Sequence, residues 1–151
     1  MSIFPINVSF SEINSLEEPI YLDYSTFFGG TSDDDAYKII SDEENNFYIT
    51  GSTKSEDLPI LNGIYDIIKS TNYRSAFVAK FSEDGSLVYS TYLTGSKHDT
   101  GTDIAVDKNG NLLVVGITKS DDYPITNNAV NKSFSGPGTF LGDWSCCGDG
   151  F

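Results

Sequence analysis

Short runs of apolar and β-branched residues, each closed by glycine or by an Asp/Asn-rich stretch, follow one another along most of this chain. Ala76 to Phe81 alternates, with Phe77, Ala79 and Phe81 on one face, the period of a strand. Ser86 to Leu93 is β-branched and aromatic and lies between Gly85 and Gly95. The intervening Ser82-Glu83-Asp84-Gly85 reads as a hairpin turn, because Asp-Gly tolerates positive φ. Asp103 to Asp107 and Asn111 to Gly116 form a second hairpin around Lys108-Asn109-Gly110. Lys38 to Asp42 and Asn46 to Gly51 form a third around Glu43-Glu44-Asn45. Apart from a short turn around Gly63 to Ile68, no segment carries an apolar period of 3.6. The expectation is an all-β chain.

The same text returns 65 residues later, without gaps over more than forty positions. Tyr24-Ser25-Thr26 recurs as Tyr89-Ser90-Thr91, and Thr53-Lys54-Ser55 as Thr118-Lys119-Ser120. Asp34, Asp42, Asn46, Gly51 and Asp57 recur as Asp99, Asp107, Asn111, Gly116 and Asp122. Gly30, Ile39, Pro59-Ile60 and Asn62 match Gly95, Ile104, Pro124-Ile125 and Asn127. One register held through so many Gly, Pro, Asp and Asn positions marks a repeat architecture. Several strands are apolar on both sides: Val88 and Tyr92 on one, Leu87, Tyr89 and Leu93 on the other. A lone sheet leaves one such side wet, whereas a sheet stacked between neighbours buries both. Four short antiparallel strands in two hairpins, repeated and stacked, make a β-propeller blade.

The linked motifs YSTFFGG and YSTYLTG, the IAVD hairpin, the TKSxDxP run and AFVAKF resemble the SBBP β-propeller repeat. That family carries Tyr-Ser-Thr-Tyr-Leu-Gly-Gly and Ala-Phe-Val-Ala-Lys at these places, and the resemblance covers Leu22 to about Ile125. The first copy departs at Ser41 and Glu44-Asn45, where the family has Val and Gly. The resemblance implies a seven-bladed propeller with four antiparallel strands per blade, in secreted or surface proteins of bacteria or archaea, and no catalytic residues. It places the inner strand near Tyr37–Asp42, the second near Asn46–Gly51, the third near Ala76–Phe81 and the outer one near Leu87–Leu93. Residues 1–19 are then an N-terminal extension and 20–132 the propeller region. Within that region, 20–28 is the outer strand of a preceding blade, 36–93 a complete blade and 102–132 a half blade. The Gly-rich stretch 133–151 reads as a truncated blade, its Gly148-Asp149-Gly150-Phe151 approaching a further AFVAK strand. A single blade cannot bury its own faces. The chain is therefore expected to be a fragment of a larger propeller; the alternative is several copies assembled into a ring.

Charge narrows the partners. The net charge of −13 repels phosphate backbones and anionic lipid, so neither nucleic acid nor membrane is an expected partner. No stretch approaches the ~18–20 apolar residues of a membrane span. Met1 to Glu18 has no basic n-region and no continuous apolar h-region, so no signal peptide is read there. The chain is either intracellular or lacks the start of its gene; a cell-surface or extracellular place is implied by the resemblance alone. Cys146 and Cys147 are adjacent and cannot staple a scaffold.

Candidate chemistry is sparse. Asp33-Asp34-Asp35 could offer oxygens to Ca²⁺, but the second copy has His98-Asp99-Thr100 there, and only Asp34/Asp99 persists. Asp107-Lys108-Asn109-Gly110-Asn111 resembles the start of an EF-hand loop but has Thr118 at the twelfth place, so it reads as a turn capped by Asp107, as Asp42 caps its counterpart. His98 is the only histidine, too few for a zinc site, and no G-x-S-x-G elbow occurs. No catalytic, cofactor-binding or metal residue is assigned. The Thr53-Lys54-Ser55 and Thr118-Lys119-Ser120 runs open long loops on a propeller face, where partners bind, and Pro59 and Pro124 fix the exits of these loops. The expected role is a structural or binding scaffold contacting protein or glycan through face loops. Two alternatives stand: part of a propeller lyase or glycosidase whose active residues lie in other blades, or a truncated remnant without function.

Overall fold

A computed structural model describes residues 3–4, 24–64, 72–134 and 149–150. Among the described residues there are nine strands: β1 (Ile3–Phe4), β2 (Thr26–Phe27), β3 (Asp34–Ser41), β4 (Phe47–Thr53), β5 (Ser75–Phe81), β6 (Leu87–Leu93), β7 (Asp99–Val106), β8 (Leu112–Thr118) and β9 (Asp149–Gly150). All pairings are antiparallel, and the sheets run β1-β2, β3-β4-β5-β6 and β7-β8-β9. The chain is all-β and made of propeller blades, one complete and two partial. The expected helical turn beyond Ile64, residues 20–23 of the leading strand, and Cys146 and Cys147 lie outside the described residues.

The turns behave as their residues dictate. Gly85 and Gly110 take φ of 83° and 79°, and Asn45, which stands 65 residues before Gly110, takes 60°. Asn is among the few non-glycine residues that accept this region, so the first copy keeps its hairpin without glycine. Asp42 Oδ1 accepts the amides of Glu44 and Asn46 at 3.1 and 2.8 Å. Asp107 Oδ1 accepts those of Asn109 and Asn111 at 2.8 Å each, so both aspartates cap their turns as expected.

Two expectations are corrected. The inner strand starts at Asp34 rather than near Tyr37, because a bulge between Ala36 and Lys38 absorbs Tyr37 and lets pairing continue to Thr53. The same bulge recurs between Gly101 and Asp103. On the outer strand, Lys80 pairs with Tyr89 but Phe81 with Leu87. That bulge at Val88 flips Leu87 onto the Tyr92 side, where it packs with the first core. Alternation fails where one residue is inserted.

Two cores flank the complete blade. Phe47, Ile49, Phe77, Ala79, Phe81 and Tyr92 pack beneath Phe28 and Leu58, and the Phe28 ring meets Phe81 edge-on at 5.4 Å. On the other side Tyr48 and Val78 bury Ile104 of the next blade, with Ile40, Leu93, Val106, Leu112 and Val114 around them. Every residue of β4 is buried, as the middle of a stack requires. Each large apolar side chain so enclosed stabilises by about 1.5–3 kcal/mol.

The partial blades keep the register of the complete one. Ile3 and Phe4 pair with Phe27 and Thr26 as Phe77 and Val78 pair with Tyr92 and Thr91. Asp149 and Gly150 pair with Thr118 and Ile117 as Ser75 and Ala76 pair with Thr53 and Ser52. So β1 and β9 both take third-strand places.

Candidate functional site

At the end of the blades where β3, β4 and β5 meet the next blade, the repeated polar residues form a clasp. Asp34, 1% exposed, accepts the Gly30 amide at 2.8 Å, the Ser55 hydroxyl at 3.0 Å and the Thr53 hydroxyl. The Ser55 amide in turn donates to Thr53 Oγ1 at 2.8 Å, and the Ser32 amide to Ser55 Oγ at 2.9 Å. Asp57 accepts the Thr31 amide at 2.9 Å. The second copy repeats each bond. Asp99 accepts the Gly95 amide at 2.7 Å and the Thr118 and Ser120 hydroxyls at 2.5 and 2.9 Å. Ser120 Oγ accepts the Lys97 amide, and Asp122 the Ser96 amide, both at 2.8 Å. A carboxylate out of water is tolerable only when donors surround it, and here the same three neutral donors converge on each, with the Thr94 hydroxyl added at Asp99 at 2.9 Å. The Thr-Lys-Ser-x-Asp runs therefore staple the loop entering each blade to its second strand. A side chain at Gly30 would start 2.2 Å from Asp57 Oδ1, so glycine is required at this approach.

The loop after the clasp also turns inward. Leu61 bridges to Ser90 of β6, and the Ser90 hydroxyl donates to the carbonyl of Pro59 at 2.5 Å. The Tyr92 hydroxyl donates to Ser55 O at 2.8 Å and accepts the Leu58 amide at 3.1 Å; burial pushes its pKa up to about 12. The loop from Ser55 to Leu61 is thus folded onto the blade.

Beside the clasp lies a second cluster that does not repeat. Arg74, the only arginine in the sequence, reaches Asp35 at 2.6 Å, Asp33 at 3.7 Å and Ser52 Oγ at 3.1 Å. Lys54 meets Asp33 at 3.3 Å. The Arg74 amide donates to His98 Nδ1 at 3.2 Å, and the Tyr73 and His98 rings meet edge-on at 4.9 Å. Burial, then the charge of Lys119, holds the His98 imidazolium below its ordinary range. Tyr37 and Tyr73 remain 53% and 39% exposed beside it.

The acidic run is therefore divided. Asp34 points into the clasp, while Asp33 and Asp35 face Arg74 and Lys54. No group of three metal-ligating side chains occurs among the described residues.

At the opposite end the two hairpin turns border a cleft of about 700 Å³, lined by Asp42, Tyr48, Lys80, Val106 and Asp107 among others. Lys80 sits 5.0 Å over the Tyr48 ring and 4.0 Å from Asp42. Burial works against ionisation of Asp42, but the hydrogen bonds from Asn46, Tyr48 and Glu44 outweigh it and hold the carboxyl below its usual range. Its carboxylate is thus already occupied by turn residues.

Sequence reasoning reached Asp34, Asp99, His98 and the Thr-Lys-Ser runs but not Arg74 or Tyr73. The one available signal was that the sole arginine stands just before AFVAKF.

The family model of the SBBP β-propeller repeat matches residues 23–59 and 88–124. Each match spans the entering loop, the first hairpin and the clasp. No curated protein matches the chain.

Proposed function

We propose that this chain, which belongs to the SBBP β-propeller repeat family, is a binding scaffold that contacts a protein or glycan partner through the clasp end of its blades. What carries the reading is a division of labour among polar residues. Those that recur at an interval of 65, Asp34/Asp99, Thr53/Thr118 and Ser55/Ser120, are spent on internal hydrogen bonds. Those that do not recur, Tyr37, Tyr73 and Arg74, stand together at the surface around Asp35 and His98. Exposed tyrosines around an arginine are the side chains that dominate contact energies at recognition surfaces. A scaffold repeats; a contact site need not.

The test is direct binding of the full chain to a glycan array and to a peptide panel, with Tyr73→Ala and Arg74→Ala beside the wild type. The reading expects binding in one class, reduced at least tenfold by either change. Binding that neither change alters would remove this surface from the role.

A further inference from the structure

The blade interface seen inside this chain has two halves, and each half is found again, uncovered, at the outer faces. Ile104 is 4% exposed because Tyr48 and Val78 cover it, and Tyr48 and Thr50 are 2% and 0% exposed on the facing sheet. Their equivalents one repeat away are Ile39, Leu113 and Val115. Ile39 is 45% exposed, Leu113 56% and Val115 55%. The two open faces are thus the receiving and the covering half of one interface, carried by a single chain at opposite ends. Surfaces related in this way join head to tail, and such joining closes a ring when the rotation permits.

The strand registers point the same way. On its edge away from β7, β8 is paired among the described residues only at Ile117 and Thr118, whereas β4 is paired with β5 along its whole length on the corresponding edge. β9 fills the third-strand places equivalent to Ser75 and Ala76, and β1 fills those equivalent to Phe77 and Val78. The two segments occupy consecutive places and do not overlap.

We infer that the occupant of the open face is a second copy of this chain. Its paired β1 and β2 strands extend the β7-β8 sheet of the first into a composite four-stranded blade, and its Ile39 seats on Leu113 and Val115. The inference rests on the scaffold reading only in taking the blades as stacked units. Each copy supplies two blades' worth of strands, so rings of about four to eight blades need about two to four copies.

Light scattering and native mass spectrometry on the full chain test this. One discrete oligomer is expected, at a whole multiple of 16.5 kDa. Ile39→Glu and Leu113→Glu should each be monomeric with an intact strand signature in circular dichroism. An equimolar mixture should form a dimer and nothing larger, since each variant keeps the face the other lacks. A monomeric wild type at every soluble concentration, or a mixture that stays monomeric, overturns the inference. Should a variant fail to fold, hydrogen exchange on the wild type decides: Leu112 to Gly116 amides must gain protection as concentration rises, and unchanged exchange overturns it. A monomer that still binds through Arg74 would leave the scaffold reading standing; loss of that binding alone would leave the ring standing.

Discussion

Gly101 backs onto Thr50 across the blade interface so closely that a Cβ on it would lie 2.1 Å from the Thr50 hydroxyl oxygen. Thr50 cannot turn aside freely, because the same hydroxyl donates to the carbonyl of Phe77 at 2.8 Å. The equivalent residue in the first copy is Ala36, which packs at the edge of the other core.

Replacing Gly101 should therefore disturb blade stacking itself. Gly101→Val is expected to lower stability by about 1–3 kcal/mol, read from chemical denaturation. Ala36→Gly should cost less, since it removes only one methyl group and forces nothing apart.

The clasp predicts a contrast between neighbours in one acidic run. Asp34→Ala strands the Gly30 amide and the Thr53 and Ser55 hydroxyls inside the fold and is expected to cost roughly 3 kcal/mol. Asp99→Ala should do the same. Asp33→Ala, which removes only exposed ion pairs to Lys54 and Arg74, should stay within about 0.5 kcal/mol. Urea midpoints of the three variants measure the difference.

The hairpin glycines are separable by sterics. Gly110 has positive φ but nothing within 4 Å of where a Cβ would stand, so Gly110→Ala should cost about 1 kcal/mol and Gly110→Asn less, as Asn45 already adopts that conformation. Gly85 also faces the Tyr24 ring, which a Cβ would approach to 2.3 Å, so Gly85→Asn should be the more damaging of the two asparagine changes. Melting temperatures of the pair check the order.

Acid should act on His98 before it acts on the carboxylates. Its folded-state pKa lies below the ordinary 6.5, so the unfolded chain takes up the proton more readily. The stability this contributes is present above about 6.5 and is lost as pH falls through the lower folded value. Asp42 and Asp107, also lowered, act with the same sign, but only below the ordinary carboxylate range. His98→Gln should flatten the first of these two limbs and leave the second, as followed by denaturant midpoints against pH.

Strands and repeat were legible because glycine, proline and turn aspartates punctuate the chain at one interval, and those residues act locally. Bulges were not, since an inserted residue such as Val88 is defined only against the strand it faces. The role of Asp34 was half legible. Its persistence as Asp99 was visible, and so was the parallel persistence of Thr53 and Ser55, but only folding brings those two onto it. Arg74 was the least legible. Its partners Asp35 and Ser52 stand opposite each other through β3–β4 pairing, and Ser52 lies opposite Ala76, so the cluster exists only once the sheet is formed.

Native-state hydrogen exchange tests the stacked-blade scaffold most directly, by comparing β4 of the complete blade with β7 of the next. The amides of Ile49 and Thr50 should open with the same free energy as those of Ile104 and Ala105, and Gly101→Val should lower both sets together. If β7 and β8 exchange by opening locally while β4 stays protected, the blades do not form one stacked body and the account is wrong.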